Sequence, residues 1–271
     1  MLLSLMPLRP AAFTLLLALA AASTFAQGPA SDVIVAEDFE STAVGAIPAG
    51  FTKTGAIAVA EGVAHSGRRA LQIEPAVKGG RFISLAPDKV TALGGEHWGR
   101  LYFKVKTPTP LPLVPEGKKT ANIHTTFVAA KATSPLAHDP IEVRLAGLSL
   151  NGAGEFKYLY NVQPKAPRKE FGVSAKTTQK FTDEWTLLEW HADAASQTYQ
   201  FFVNGQEVTD LALHKGAGKY EGVELPATFQ ALSIGWTNYQ AATGEGFTVW
   251  IDDIAVGKHR LGPVAAGAIV K

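Results

Sequence analysis

The sequence predicts an all-β protein, built as a two-sheet antiparallel sandwich or a jelly roll. Short runs rich in β-branched and aromatic residues recur between turn signals along most of the chain. Sustained helical periodicity is nearly absent, and the 26 glycines and 16 prolines supply frequent turns. This combination is typical of sandwiches and jelly rolls.

The predicted strands follow one another from the amino terminus to the carboxyl terminus. They are VIVAEDFE, RALQIEP, GRLYFKVK, NIHTTFVAA, IEVRLAGLSLNG, EFKYLYNVQ, WTLLEWHAD, TYQFFVNGQEV, ALSIGW and FTVWIDDIAVG. Asn204-Gly205 predicts a tight hairpin, and Asn151-Gly152 predicts a slightly longer one. Residues 107–119 contain four prolines, which a paired strand does not tolerate, so we expect a loop at the rim of the sandwich.

Alternation along three of these strands separates an apolar face from a polar one, because side chains on a strand have a period of two. The predicted apolar positions are Leu101, Phe103, Val105, Ile123, Thr125, Phe127, Ala129, Ile141, Val143 and Leu145. The opposite positions include Arg100, Tyr102, Lys104, Asn122, His124, Thr126, Val128, Glu142 and Arg144. This second face is either an ordinary solvated surface or a working surface, and its histidine, tyrosine and arginines favour the latter.

The amino terminus predicts an export signal. Residues 1–26 contain one basic residue, Arg9, an apolar run over 11–22, and a Thr-Phe-Ala end that suits signal peptidase. No later stretch approaches the ~20 apolar residues of a membrane-spanning helix. We therefore expect a secreted protein, extracellular or periplasmic, with a β-jelly-roll domain over 30–262 and a flexible tail over 263–271.

Charge and cysteine content narrow the choice of partners. The chain has 25 basic and 24 acidic residues, and removal of Arg9 with the leader makes the two numbers equal. This balance does not suit nucleic acid, which requires a strongly basic face, and no membrane partner is expected. The chain has no cysteine, so its core, helped by a bound metal, must stabilise an exported protein that we expect to be a monomer.

A series of stretches resembles the secreted cellulose-induced protein family of fungi and bacteria. They are DFES, VAHSGRRALQI, GRLYFKVK, IHTTF, VRLAG, LYNV, LLEWHAD, FFVNG, SIGWTNYQ and VWIDDIAVGKHRLG. That family is similar to glucuronan lyase and more distantly to alginate lyases. The resemblance implies a concanavalin-like β-jelly roll with a cleft on the concave sheet, a bound calcium ion, and action on a uronic-acid polysaccharide.

The resemblance also implies the ligands of a structural Ca²⁺ ion, namely Glu40, Ser66, the carbonyl of Arg69, and Asp252. Ca²⁺ takes six to eight hard oxygen ligands, and a site that joins the first strand to the last would replace missing disulfides. The alternative is that these acids pair with the side chains of Arg68 or Arg69.

Cleavage of a uronate by β-elimination needs a group that neutralises the carboxylate, a base near C5 and an acid near the leaving oxygen. Arginine suits the carboxylate, and histidine and tyrosine suit the proton transfers. The resemblance implies which residues line the cleft, and on that basis the predicted catalytic residues are His124, Arg144, Tyr160, Tyr239 and Arg100. The predicted substrate-binding residues are Asn122, Tyr102, Lys104, Glu142, Tyr158, Trp236 and Gln240, although Trp236 also suits a buried core position.

The sequence leaves two classes of function open. Leu148 follows VRLAG where the family pattern has glutamine, so the chain either uses Arg144 or Asn122 as the neutraliser or binds acidic sugar without cleaving it. The closely spaced acids of a retaining glycosidase are absent, and so are a serine-esterase elbow and any cysteine nucleophile. The two candidates are therefore a polysaccharide lyase and a noncatalytic, calcium-stabilised carbohydrate-binding protein, both with acidic polysaccharide as partner.

Overall fold

A computed structural model describes residues 32–215 and 223–264 of the chain. Two antiparallel sheets stack face to face, and this confirms the predicted all-β sandwich. The predicted leader, residues 1–26, lies outside the described residues, as does the predicted tail apart from Pro263 and Val264.

The first sheet has eight strands, and we call it the back sheet. Its order is β13-β12-β11-β6-β15-β4-β3, and β1 also pairs with β15. The strands are β1 Val33–Glu37, β3 Ile57–Glu61, β4 Arg69–Ile73, β6 Glu96–Val105, β11 Thr186–Asp193, β12 Thr198–Val203, β13 Gln206–Glu207 and β15 Val249–Gly257.

The second sheet has seven strands, and we call it the front sheet. Its order is β10-β9-β8-β7-β14-β5-β2. The strands are β2 Phe51–Thr54, β5 Gly79–Leu85, β7 Ile123–Thr133, β8 Pro140–Leu150, β9 Phe156–Pro164, β10 Phe171–Ser174 and β14 Phe229–Asn238. A short helix, α1 Pro87–Leu93, links β5 of the front sheet to β6 of the back sheet.

Aromatic and aliphatic side chains fill the space between the sheets. Phe103 of the back sheet lies against Phe127 of the front sheet, with ring centroids 4.4 Å apart. Phe127 also contacts Trp236 edge-on at 5.0 Å. Burial of such large side chains contributes about 1.5–3 kcal/mol each, so this interlayer is the main source of stability in a chain without disulfides.

The turns form where the sequence predicts them. Asn204 and Gly205 both have positive φ, at 49° and 79°, which is the requirement of a type I′ hairpin turn between β12 and β13. Residues 107–119 form an irregular segment apart from a single bridge between Pro112 and Ala242.

The predicted alternation of β7 holds only for its first half. Ile123, Phe127, Ala130 and Ala132 lie in the core, so the inward side changes from odd to even positions after Phe127. The pairing of β7 with β14 shifts register at the same place, and the Thr126 hydroxyl donates to the carbonyl of Val128. The prediction that Ala129 faces the core is therefore wrong, because an irregularity in the strand turns it outward.

No helix in the described part of the chain is long and apolar enough to cross a membrane.

Candidate functional site

A groove crosses four strands on the outer face of the front sheet. Its floor is made by the small outward-facing residues Ala129, Ser233 and Gly235, and its cavity volume is about 140 Å³. Because these three residues of the inner strands β7 and β14 are small, the middle of this face lies lower than the larger side chains around it. The lining also includes Gly80, Phe82, Thr126, Lys131, Glu142, Thr237 and Tyr239.

At one end of the groove, three predicted site residues are in direct contact. The Arg144 Nε donates to Glu142 Oε1 at 2.8 Å, and the Tyr239 hydroxyl donates to the same oxygen at 2.6 Å. The Arg144 guanidinium carbon lies 3.5 Å from the centre of the Tyr239 ring, which adds a cation–π contact. We call Glu142, Arg144 and Tyr239 the acid–base cluster.

The electrostatics of the cluster keep Tyr239 protonated. Burial raises the pKa of Tyr239 well above its ordinary value, and the negative charge of Glu142 raises it further, against an opposing effect of Arg144. Tyr239 is thus a proton donor in this state. A carboxylate that accepts two hydrogen bonds is the only base in the cluster.

Two cations give the groove a net positive character. Lys131 lies directly opposite Glu142 in the β7–β8 pairing and is exposed. Arg144 donates to Glu142 through Nε, its guanidinium lies against the Tyr239 ring, and its side chain is 8% exposed, so a second carboxylate could approach only the small part of the guanidinium that is exposed. Lys131 and Arg144 together outnumber the single charge of Glu142, which favours an anionic ligand.

His124 lies on the front sheet, next to the backbone of Tyr239 but away from the level of Glu142 and Arg144 on the strands. It pairs with Ser149, whereas Arg144 pairs with Ala129. The two positions differ by five residues along the strand, or about 15 Å at the rise of an extended chain. His124 is half-buried, and its backbone amide donates to the side chain of Gln240 at 2.6 Å.

Gln240 and Asn122 accompany His124 at that end of the sheet. Gln240 is exposed, and so is Asn122, which lies immediately before β7. The backbone amide of Tyr239 donates to the carbonyl of His124 at 2.9 Å. The structure thus joins His124 to Tyr239 through the backbone.

Tyr160, Tyr158 and Trp236 were predicted as residues of the cleft. This is wrong for the two tyrosines, whereas Trp236 occupies the buried core position that was its alternative and borders the groove from below. Their side chains are at most 2% exposed, and they project between the sheets rather than outward. Tyr160 donates its hydroxyl to the carbonyl of Val223 and packs on Tyr199. Burial raises the pKa of Tyr160 far above its ordinary value, so a proton-transfer role is not accessible to it.

Leu148, where the family pattern has glutamine, also lies between the sheets rather than in the groove. Leu148 is 1% exposed and belongs to the core cluster, because the inward side of β8 also changes along the strand. A residue at this position does not face the groove. The missing glutamine at 148 therefore removes no group from the acid–base cluster.

Arg100, Tyr102 and Lys104 were predicted on the same polar surface as His124, and this is also wrong. All three lie on β6, which is in the middle of the back sheet, so they face the opposite side of the molecule. The buried Arg100 guanidinium donates to the carbonyls of 261 and 262, and Lys104 pairs with Asp183 at 3.7 Å. Arg100 thus fixes the carboxyl-terminal segment onto the back sheet.

The predicted calcium ligands meet around one turn. Asp252 Oδ2 accepts the backbone amides of His65 and Ser66 at 2.8 and 3.2 Å. Glu40 Oε1 accepts the backbone amides of Arg68 and Arg69 at 2.8 and 2.7 Å. Two carboxylates that are far apart in sequence therefore hold the two ends of the 65–69 turn.

The alternative, in which these acids pair with arginine side chains, does not hold for Glu40 or Asp252. The Arg69 guanidinium instead pairs with Glu61 at 3.1 Å and donates to the carbonyls of Glu40 and Thr42. The hydrogen bonds to Asp252 all come from backbone amides, of His65, Ser66 and Asp253.

The chemistry of this site suits a divalent cation. Burial and, to a smaller extent, the adjacent charge of Asp253 raise the pKa of Asp252 to about 8, although the backbone amides that donate to it act in the opposite direction. A buried carboxylate in this condition lacks a positive partner, which a cation would supply. In the described ranges, no three His, Asp or Glu side chains group as metal ligands, so serine and carbonyl oxygens would have to complete the shell.

Sequence reasoning missed a second cluster on the back sheet. His65 Nδ1 lies 2.6 Å from Asp253 Oδ2, and its ring stacks on Tyr102 at 3.5 Å. The Ser66 hydroxyl donates to the other oxygen of Asp253 at 2.9 Å. Because His65 and Asp253 are 188 positions apart, no local pattern indicates their contact.

Sequence reasoning also missed Phe82 and Lys131 in the groove. A single outward aromatic in the sequence GRFISL is a weak signal, because outward and inward positions both carry bulky residues there. Lys131 follows the irregularity in β7, which moved it from the predicted core-facing parity to the outer face.

No protein-family model matches the chain, and no curated protein matches it. Among solved structures, a cellulose induced protein aligns over 85% of this chain and 100% of its own, with a TM-score of 0.53 and 15% identity. A second structure is described by the words "Prominent members of the human gut microbiota express endo-acting O-glycanases to initiate mucin breakdown". It aligns over 84% of this chain and 100% of its own, with a TM-score of 0.52 and 10% identity. These similarities confirm the jelly-roll fold.

Proposed function

We propose that this protein binds an acidic polysaccharide in the groove of the front sheet. The observation that carries the proposal is the acid–base cluster, in which Glu142 and Tyr239 hold the Arg144 guanidinium beside the groove. A guanidinium with two parallel donors matches a carboxylate, and Lys131 adds a second positive charge along the groove. The shared fold with a structure described in terms of O-glycanases that initiate mucin breakdown supports a carbohydrate as the ligand class.

Calorimetric titration with uronate oligosaccharides tests this proposal, and neutral xylose oligosaccharides serve as the comparison ligands. Arg144→Ala should weaken uronate binding at least tenfold, because it removes the charge-assisted pair. Arg168→Ala is a matched control, since Arg168 pairs with Asp139 and Glu224 outside the groove lining. Equal binding of uronate and neutral sugars by the wild type would contradict the proposal.

A second candidate is β-elimination at a bound uronate, as the sequence suggests. It is supported by the contact between Tyr239 and Glu142, which places a proton donor and a carboxylate base together beside a group that can neutralise the sugar carboxylate. In this reaction Glu142 would remove the C5 proton, Arg144 would stabilise the resulting charge, and Tyr239 would protonate the leaving oxygen. Ultraviolet absorbance of the unsaturated product detects it directly.

His124 can carry out the predicted proton transfer only if β-elimination takes place at its own end of the front sheet, away from Arg144. Since about 15 Å of strand separates it from the level of Arg144, His124→Ala should leave uronate binding unchanged. Loss of product in His124→Ala, with product retained in Tyr239→Phe, would move the reaction away from the acid–base cluster.

We also propose a structural Ca²⁺ ion at the 65–69 turn, held by Glu40, Ser66, Asp252 and the carbonyl of Arg69. The buried Asp252 accepts only backbone amides in the described part of the chain, and its pKa is raised, so a cation beside its carboxylate would stabilise it. The ion would neutralise Asp252 and link the chain after β1 to β15, which strengthens a chain without cysteine. Export through the leader 1–26 remains part of the proposal, and amino-terminal sequencing of secreted protein tests it.

A further inference from the structure

We propose that Phe82 is a stacking platform for a sugar ring, at the end of the groove opposite the acid–base cluster. This inference rests on the proposed function, because it specifies how the same groove would hold its ligand. Phe82 is half-buried, lies on β5 and lines the groove.

Glycines make room for this aromatic ring. Gly80 occupies the preceding outward position on β5, and a Cβ added there would lie only 2.6 Å from Phe82 Cε1. Gly235 pairs with Phe82 on the neighbouring strand, and a Cβ there would lie 2.3 Å from the Arg81 carbonyl oxygen and 2.5 Å from Phe82 Cα, so this glycine lets the two strands approach closely beside Phe82. The Phe82 ring therefore lies over Gly80, where the backbone carries no side chain.

Such a ring suits the less polar face of a pyranose. The C–H groups on that face remove apolar surface from water when they pack on an aromatic ring, which contributes about 25 cal/mol for each Å² buried. Ser233 and Thr237 flank the platform and provide hydroxyl groups for hydrogen bonds to the sugar. An apolar platform with a few polar groups is the usual composition of a ligand site.

The distance across the sheet sets the size of the ligand. Phe82 lies on β5 and the acid–base cluster begins on β8, so three strand spacings separate them in the order β8-β7-β14-β5. At about 4.8 Å a spacing this is ~14 Å. A disaccharide anchored at Arg144 is too short to reach Phe82, whereas a tetrasaccharide is long enough. The groove thus selects chain length as well as charge.

Titration with a uronate disaccharide and a uronate tetrasaccharide tests the inference. Phe82→Ala should weaken tetrasaccharide binding about tenfold and leave disaccharide binding unchanged, whereas Phe82→Trp should retain both. Gly80→Ala should act like Phe82→Ala, because it displaces the ring without removing it. Trp98→Ala is the matched control, since it deletes a half-buried aromatic residue that stacks on His191 of the back sheet.

The outcomes separate this inference from the proposed function. If Arg144→Ala weakens both ligands while Phe82→Ala weakens neither, the platform is refuted and the acidic groove stands. If Phe82→Ala weakens both ligands equally with a lowered melting temperature, Phe82 only supports the sheet and the platform is again refuted. If the wild type binds neither ligand, the proposed function fails and the platform fails with it.

Discussion

Replacement of the buried His97 by glutamine should remove part of the acid sensitivity of this protein. His97 lies in the core at 0% exposure, where its Nε2 accepts a hydrogen bond from Trp190 Nε1 at 3.2 Å. Burial, with smaller effects from the charges of His191 and Lys258, lowers the pKa of His97 to about 3. The imidazole therefore stays neutral in the folded protein at any moderately acidic pH.

The pH dependence of stability follows from the different pKa of His97 in the unfolded and folded protein. The unfolded chain takes up a proton at His97 near pH 6.5, while the folded protein resists until about pH 3. The contribution of His97 to stability is complete above pH 6.5 and falls by about 1.4 kcal/mol for each pH unit below it. At two units below, the loss is about 3 kcal/mol.

Urea unfolding of wild type and His97→Gln between pH 4.5 and 7.5 measures this difference. Glutamine still offers an acceptor to Trp190 but does not titrate. The difference in the free energy of unfolding between the two proteins should therefore shrink as the pH falls below 6.5. A difference that stays constant over the whole range would refute the assignment of a neutral, buried His97.

Three further changes have definite expected outcomes. Glu142→Gln should tighten binding of acidic oligosaccharides severalfold, because it removes the negative charge that partly neutralises Arg144, and it should abolish any unsaturated product; weaker binding in calorimetry would contradict this. EDTA should lower the melting temperature of the wild type but not of Asp252→Ala, because the proposed ion stabilises only the folded state; an unchanged wild-type melting curve would exclude the calcium proposal. Gly99→Ala should destabilise the fold by about 2 kcal/mol or more in urea unfolding, because the new Cβ would overlap the Trp190 ring; a change within experimental error would show that the ring has room to move.

The fold was accessible from the sequence because its signals are local. Alternation in GRLYFKVK correctly places Leu101, Phe103 and Val105 in the core, and the Asn204-Gly205 turn forms as its residue types require. The same reasoning could not assign β6 to a sheet. Strand pairing depends on contacts distant in sequence, so Arg100 was placed with His124 although they lie on opposite sheets.

The candidate site was only partly accessible. Glu142 and Arg144 were identified because they alternate on one strand, and Tyr239 because it follows SIGWTN. Irregularities in β7 and β8 defeated the simple period of two, so Ala129 was assigned to the wrong face and Leu148 was taken for a missing cleft residue. Tyr160 was misplaced because alternation gives the residues that share a face, not the side of the sheet on which that face lies.

A crystal structure of the protein with a bound uronate tetrasaccharide tests the central claim most directly. The account predicts sugar density along the front-sheet groove, with a carboxylate within hydrogen-bond distance of the Arg144 terminal nitrogens and another ring against Phe82. Sugar bound on the outer face of the back sheet, beside Tyr102 and Trp98, with the groove left empty, would contradict it.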